Sequence, residues 1–283
     1  MNKKISLIVC LLTSVGYVYS QSSDSSQEKN SFKVGIEYNS NQTYAGRTDS
    51  LRLPVIQPSL QFVTRVGFYI KTGGYFNLSK YNKGFDGVAI EPGYEFSKNN
   101  WNGSISLTKN FISDSSNLIV APIKTSVEIY LGNDNKIITP YIGGEFMSGT
   151  EGNDIIVYAG LSKLITLTED DHEPSVTIEP SLSVTGGTQN FYFSFLKNYA
   201  VYGQPKGKSR NSVPVTQTNK KQSEQFNLLS TALEMPITVT KGKFEWTTTP
   251  ACEVPHNLVD KSGAGVQEAK SVVYVKTGVV YTF

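Results

Sequence analysis

Histidine and cysteine are nearly absent from this chain, and their scarcity removes most side-chain chemistry at the outset. There are two histidines, His172 and His256, and two cysteines, Cys10 and Cys252. Cys10 lies in an N-terminal apolar run that reads as a removable export signal, so the mature chain keeps Cys252 alone and can form no internal disulfide. Cys252 and His256 stand as an isolated pair without further clustered ligands, so no metal site is expected. An excess of charge is lacking too. With Lys3 and Lys4 gone, the 26 basic side chains fall level with the 24 acidic ones, a balance that argues against a nucleic-acid partner. Long hydrophobic runs are missing: Ile5 to Val18 is too short for a spanning helix, which needs about 20 apolar residues, and no later segment is longer. Apolar content of 39% is low for a membrane protein built of helices.

What the chain does have is alternation. Met1-Asn2-Lys3-Lys4 is a basic head, and Val18-Tyr19-Ser20 offers small residues where a signal peptidase reads, so residues 1–20 are expected to leave and 21–30 to form a polar leader. From residue 31 onward about twelve segments alternate apolar and polar residues with a period of two, at 31–39, 55–63, 67–78, 86–97, 101–111, 118–131, 136–147, 154–167, 174–186, 226–240, 243–253 and 270–283. Most of them reach the roughly 9–11 residues that a tilted strand needs to cross a bilayer, against about 5–6 for ordinary globular strands. Tight links (64–66, 98–100, 132–135, 241–242) alternate with longer ones, the longest being 187–225. Aromatics on the apolar face gather at strand ends. Phe32, Phe62, Phe68, Phe96, Trp101, Phe244, Trp246, Tyr281 and Phe283 fall beside the short links, and Tyr38, Phe76, Phe111 and Phe146 beside the long ones. Prolines at 58, 92, 122, 140, 180, 236 and 250 sit within these segments and run against the pattern, because proline donates no ladder hydrogen bond.

The last segment, Ser271 to Phe283, places Val273, Val275, Val279, Tyr281 and Phe283 on one face and stops at its aromatic tip. Behind an export signal, and with eleven further alternating segments before it, this strand resembles those of the porin-like outer-membrane β-barrel proteins of Gram-negative bacteria. The resemblance covers residues 31–283 and is one of class. It implies an all-β fold, an antiparallel transmembrane β-barrel of about 12 strands. It also implies a place in the bacterial outer membrane, contact with its lipid and lipopolysaccharide, and insertion by a barrel-assembly machinery that reads Tyr281 and Phe283. No cofactor is expected.

With the apolar face outward, Glu37, Glu91, Glu95, Glu128, Glu145, Glu179, Glu234 and Glu245 point inward, together with Lys33, Lys71, Lys124 and Lys276. Carboxylates outnumber ammoniums, so a water-filled lumen would favour cations, whereas Glu–Lys pairs across the bore would fill it. The loop 187–225 carries Lys197, Lys206, Lys208 and Arg210 and no acidic residue between Thr188 and Ser223. It suits contact with an anionic surface or a fold into the mouth as a gate, or simply a solvated loop. Enzyme chemistry is not expected: His172 and His256 fall on opposite sides of the membrane in this arrangement, and no motif frames Ser262 or Ser271 beside His256. Two readings follow. The first is a narrow channel or transporter for a small solute. The second is a non-conducting surface barrel whose outer loops bind a protein or lipopolysaccharide.

Overall fold

In the computed structural model the described residues are 5–8, 18–21, 29–47, 52–79, 83–114, 116–149, 152–168, 174–191, 223–257 and 271–283. Ile5–Ile8 and Val18–Gln21 form an antiparallel pair in a sheet of their own. The remaining strands make one closed antiparallel barrel of twelve. They are β1 (Ser31–Asn39), β2 (Val55–Val63), β3 (Phe68–Asn77), β4 (Gly84–Lys98), β5 (Trp101–Ile112), β6 (Ile123–Asn133), β7 (Thr139–Gly149), β8 (152–168), β9 (175–187), β10 (227–241), β11 (Phe244–Pro255) and β12 (Val272–Thr282). Each strand pairs with its sequence neighbours, and β12 closes the ring on β1 in the register Tyr281↔Val34. Closure leaves no unpaired strand edge, the condition a sheet must meet in hydrocarbon.

The alternation in sequence becomes an alternation of faces. In β1, Phe32, Val34, Ile36 and Tyr38 are exposed on the outside while Lys33, Gly35 and Glu37 turn inward. The same holds around the ring, giving an outer surface of exposed Ile, Leu, Val and Phe far larger than a water-soluble monomer tolerates. Two aromatic belts bound it. At the short-turn rim, Phe244 and Tyr281 lie 4.7 Å apart, Tyr281 and Phe283 4.7 Å, and Phe283 and Phe32 5.7 Å, a cluster laid across the closing seam. At the opposite rim Tyr38, Phe76, Phe111 and Phe146 are exposed, joined by Phe85 and Phe226.

The prolines are resolved by position. Pro180 and Pro236 sit where β9 and β10 break, between Ser175–Ile178 and Ser181–Gly187 and between Asn227–Glu234 and Ile237–Lys241. Their missing N–H interrupts the ladder, yet the carbonyls still accept: Lys163 N–H reaches Pro180 O at 3.1 Å and Glu179 N–H reaches Pro236 O at 2.9 Å. Register is kept across the gap, with Ser162 opposite Ser181 and Ile165 opposite Ile178. Pro58, Pro92, Pro140 and Pro250 remain inside strands.

Two expectations change. The sixth strand begins at Ile123 rather than at 118, and the residues before it, Leu118 to Pro122, make turns and fold into the bore. Its run of apolar residues without alternation fits a buried turn better than a two-sided strand. The 148–153 connection, read as a medium loop, is a two-residue link, because the β7–β8 ladder continues to Gly149↔Gly152. Gly at both ends allows that tight reversal, with Gly152 at φ 144°.

Candidate functional site

The interior divides into two layers. Towards the short turns the wall is polar. Tyrosines lie flat along it, each over a glycine of the neighbouring strand: Tyr69 over Gly93, Tyr158 over Gly143 and Tyr141 over Gly160. A Cβ on any of these glycines would fall within 2.4 Å of the tyrosine side chain. Two of these hydroxyls are delivered to carboxylates, Tyr69 Oη donating to Glu91 Oε1 at 2.8 Å and Tyr158 Oη to Glu128 Oε1 at 2.8 Å. Further round the ring, Tyr274 Oη donates to Glu234 Oε1 at 3.1 Å. Glu128 and Glu145 face each other directly across β6 and β7, a like-charge pairing that costs stability unless hydrogen bonds satisfy it. Tyr158 serves the first and the Ser126 hydroxyl the second. Lys33, Glu37, Glu91, Glu95, Ser104, Ser106 and Glu128 are only half-buried. These inward side chains of β1 and of the β4–β6 wall keep part of their surface accessible, and the region they border forms a vestibule of the bore.

Towards the long loops the bore is filled. The β1–β2 loop turns inward at Tyr44 and Arg47, whose backbones bond each other at 2.8 and 2.9 Å. Ala45 at φ 45° and Gly46 at φ 71° give the two central residues the left-handed geometry of a tight hairpin tip. The tip reaches the far wall. Tyr44 Oη donates to Asp154 Oδ2 at 2.8 Å at the start of β8. Burial first, and then the Asp154 charge, push the Tyr44 phenol well above its ordinary pKa, so it stays a donor. Arg47 donates from Nε to Gln189 Oε1 at 2.9 Å, from Nη1 to Leu229 O at 3.0 Å and from Nη2 to His256 O at 2.7 Å. A bulge at Leu229 in β10 presents that carbonyl. Asp154 in turn accepts from Asn190 N–H and Phe191 N–H at 2.8 Å each, fixing the start of the β9–β10 loop. The β5–β6 loop adds Leu118, Ile119, Val120 and Ala121, and Ile119 N–H bonds Gln42 Oε1 at 2.8 Å. These residues join Leu53, Met147, Ile156, Phe191 and Leu229 in one buried apolar cluster lined by β2–β8 and β10. The cluster closes the long-loop end of the bore.

No family model and no curated protein matches the sequence. Among solved structures, the chain is similar to an outer membrane channel from Pseudomonas putida F1 (10% identity, 90% of this chain and 96% of that one, TM-score 0.48). It is similar also to the KdgM porin (7%, 89% and 99%, 0.46) and to LpxR from Salmonella typhimurium (8%, 89% and 99%, 0.42). The resemblance is to outer-membrane β-barrels as a class.

The inward residues read from the sequence fall as follows. Glu37, Glu91, Glu95, Glu128, Glu145, Glu179, Glu234 and Glu245 lie on inward registers, as do Lys33, Lys71 and Lys276. Glu179 accepts from Ser162 Oγ at 2.9 Å, low on β9. Lys124 does not line the lumen. It occupies a bulge in β6 between Ile123 and Thr125 and pairs at 2.8 Å with Asp114 of the β5–β6 loop, which is almost fully exposed. That hydrogen bond and charge hold the Asp114 carboxyl below its usual range. Lys197, Lys206, Lys208 and Arg210 lie outside the described residues, as does His172. His256 bonds Thr231 through its ring at 3.0 Å.

Among the described residues, Glu253, Asp154 and Arg47 are buried charged groups that escape the sequence reading. Glu253, wholly buried, accepts from Ser230 Oγ at 2.7 Å and from Thr43 Oγ1 at 3.4 Å. It shares the inward parity of Glu245, so the alternation of β11 could have found it. Asp154 stands at a strand end and Arg47 in a polar loop, where periodicity carries no signal.

Proposed function

We propose that the protein is a channel of the bacterial outer membrane for small solutes, with a preference for cations, held closed in this conformation. The observation that carries this reading is the vestibule itself. Half-buried Glu37, Glu91, Glu95 and Glu128 line the inner face of the barrel, with Lys33 and Lys276 as half-buried cations beside them, beneath a stopper built from loops rather than from the wall. A barrel needing only rigidity would gain nothing from carboxylates set in register against each other, as Glu128 and Glu145 are. The apolar outer band and two aromatic belts support placement across a bilayer.

The second reading, a non-conducting barrel whose outer loops bind a protein or lipopolysaccharide, is favoured by one observation, the full burial of the apolar cluster at the long-loop end. Planar-bilayer conductance of the chain separates the two. The channel reading expects discrete openings with a cation preference, and Glu91→Gln is expected to lower the cation-to-anion permeability ratio. One charge at contact distance in water-like dielectric is worth about 1 kcal/mol, a factor of about five. Stable insertion without current in any variant would favour the second reading.

A further inference from the structure

We propose that residues 40–47 are the gate: a hairpin strap that pivots out of the mouth at its base and, when seated, blocks cations both sterically and with the buried charge of Arg47. This rests on the channel reading and names the moving part within it. The sequence pointed to the 187–225 loop for that role, and residues 192–222 of it lie outside the described residues; among the described residues the β1–β2 loop makes contacts across the bore.

Base and tip are held in different ways. At the base, the strap is bonded to the strands it leaves. Ser40 N–H reaches Val275 O at 2.9 Å and Val275 N–H reaches Ser40 Oγ at 2.8 Å, while Gln42 N–H bonds Leu53 O at 3.0 Å. At the tip, the named bonds are to side chains, a bulge carbonyl and a loop carbonyl: Tyr44 to Asp154, and Arg47 to Gln189, Leu229 and His256. Water can replace each of these partners when the tip lifts. Tyr44 and Ala45 of the tip share the apolar cluster with the β5–β6 segment beside it, and that segment is also wedged against the wall. Leu118 to Ala121 pack as apolar side chains, and Gly149 permits so close an approach that a Cβ there would lie 2.1 Å from Pro122 O. That segment is the seat and the strap is the stopper.

Strain and charge favour the same element. Ala45 is a non-glycine residue at φ 45°, a conformation kept only while its surroundings enforce it. Gly46 presses on Pro255 and Glu253, a Cβ there lying 3.2 Å from each. Arg47 places a guanidinium, 1% exposed, above a vestibule walled by carboxylates. A cation rising through that vestibule meets a fixed positive charge where the strap crosses the bore. Withdrawal of the strap removes the obstruction and the charge together.

The test compares bilayer currents of the full chain, Arg47→Ala, Tyr44→Phe and Lys124→Ala, the last altering a rim pair that the strap does not touch. In parallel, Ala45→Cys in a background lacking Cys10 and Cys252 is labelled with a membrane-impermeant maleimide, with and without Arg47→Ala. Losing charge-assisted hydrogen bonds from the seated state is expected to raise the open fraction about tenfold or more. Labelling of position 45 should accelerate in step, and Lys124→Ala should gate as wild type does. Currents that keep wild-type gating in Arg47→Ala and Tyr44→Phe, while Glu91→Gln still shifts selectivity, would overturn the gate and leave the channel standing. Absence of current from every variant, with position 45 labelling faster in Arg47→Ala, would overturn the channel reading and the gate with it. Retained β-sheet signal and protease resistance of each variant guard against misfolding as the cause.

Discussion

At the scale of single residues, the interior is organised by tyrosine and glycine as much as by charge. Tyr158 reaches Glu128 because Gly143 leaves room for the ring against the wall, and a methyl group there would sit 2.2 Å from the ring carbon Cζ. Gly143→Ala is therefore expected to swing Tyr158 off the wall and leave Glu128 without its donor. The cost should be about 1–3 kcal/mol of barrel stability, the range for overpacking a filled site. Tyr158→Phe removes the hydroxyl alone and should cost about as much, because the Glu128 carboxylate loses a charge-assisted hydrogen bond. Denaturant midpoints of the two single variants and the double test the linkage. If both act through one hydrogen bond, the double variant falls well short of the sum. Equal and additive losses would show that the ring and the hydroxyl act separately. The inward Glu residues were legible in sequence because a period of two assigns each a face. Their hydroxyl partners were not, since Tyr69 to Glu91 and Tyr158 to Glu128 are bonds between strands, and the flat tyrosine needs a glycine whose place depends on register.

At the scale of elements, alternation located every strand of the barrel and failed where a segment leaves the wall. Leu118-Ile119-Val120-Ala121 is apolar throughout, and an apolar run is equally a buried strand or a buried turn when periodicity is the only guide. Its neighbour Lys124 was placed in the lumen by the same counting, and a single-residue bulge was enough to send it to Asp114 instead. The inward fold of the β1–β2 loop was likewise unreadable: Tyr44 to Arg47 is a turn by composition, and the partners that bury it are more than a hundred residues away in sequence. Gly149 is the point where the β5–β6 loop and the start of the β9–β10 loop meet the wall. Gly149→Ala would place a methyl group 2.1 Å from Pro122 O and 2.6 Å from the Phe191 ring, with backbone on one side and a fixed ring on the other. Both segments are expected to shift outward, and limited proteolysis should cut at 113–122 several-fold faster than in wild type while the strands stay protected. Cleavage at the wild-type rate would mean that the wall yields and the loops do not.

At the scale of the whole molecule, the barrel is held together by a seam that joins its two chain ends, and the seam puts the most distant residues in sequence side by side. β12 bonds to β11 through ten residue pairs and to β1 through seven, so its removal would open two edges at once. An open edge in water invites pairing with other chains, and in hydrocarbon each unsatisfied backbone group costs several kcal/mol. A chain ending before Val272 is therefore expected to yield no folded monomer in detergent or vesicles, only aggregate. Tyr281→Ala with Phe283→Ala tests the seam more gently. It keeps every ladder hydrogen bond and removes the ring cluster with Phe244 and Phe32, and aromatic pairs of this geometry are worth about 0.5–1.5 kcal/mol each. Because every barrel contact waits on closure, that loss should appear mainly in how fast the barrel closes rather than in the outline of the finished one. Refolding into lipid vesicles followed by β-sheet signal should show a slower approach to an unchanged end point. An unchanged rate with a lower denaturation midpoint would instead place the rings among contacts formed after closure.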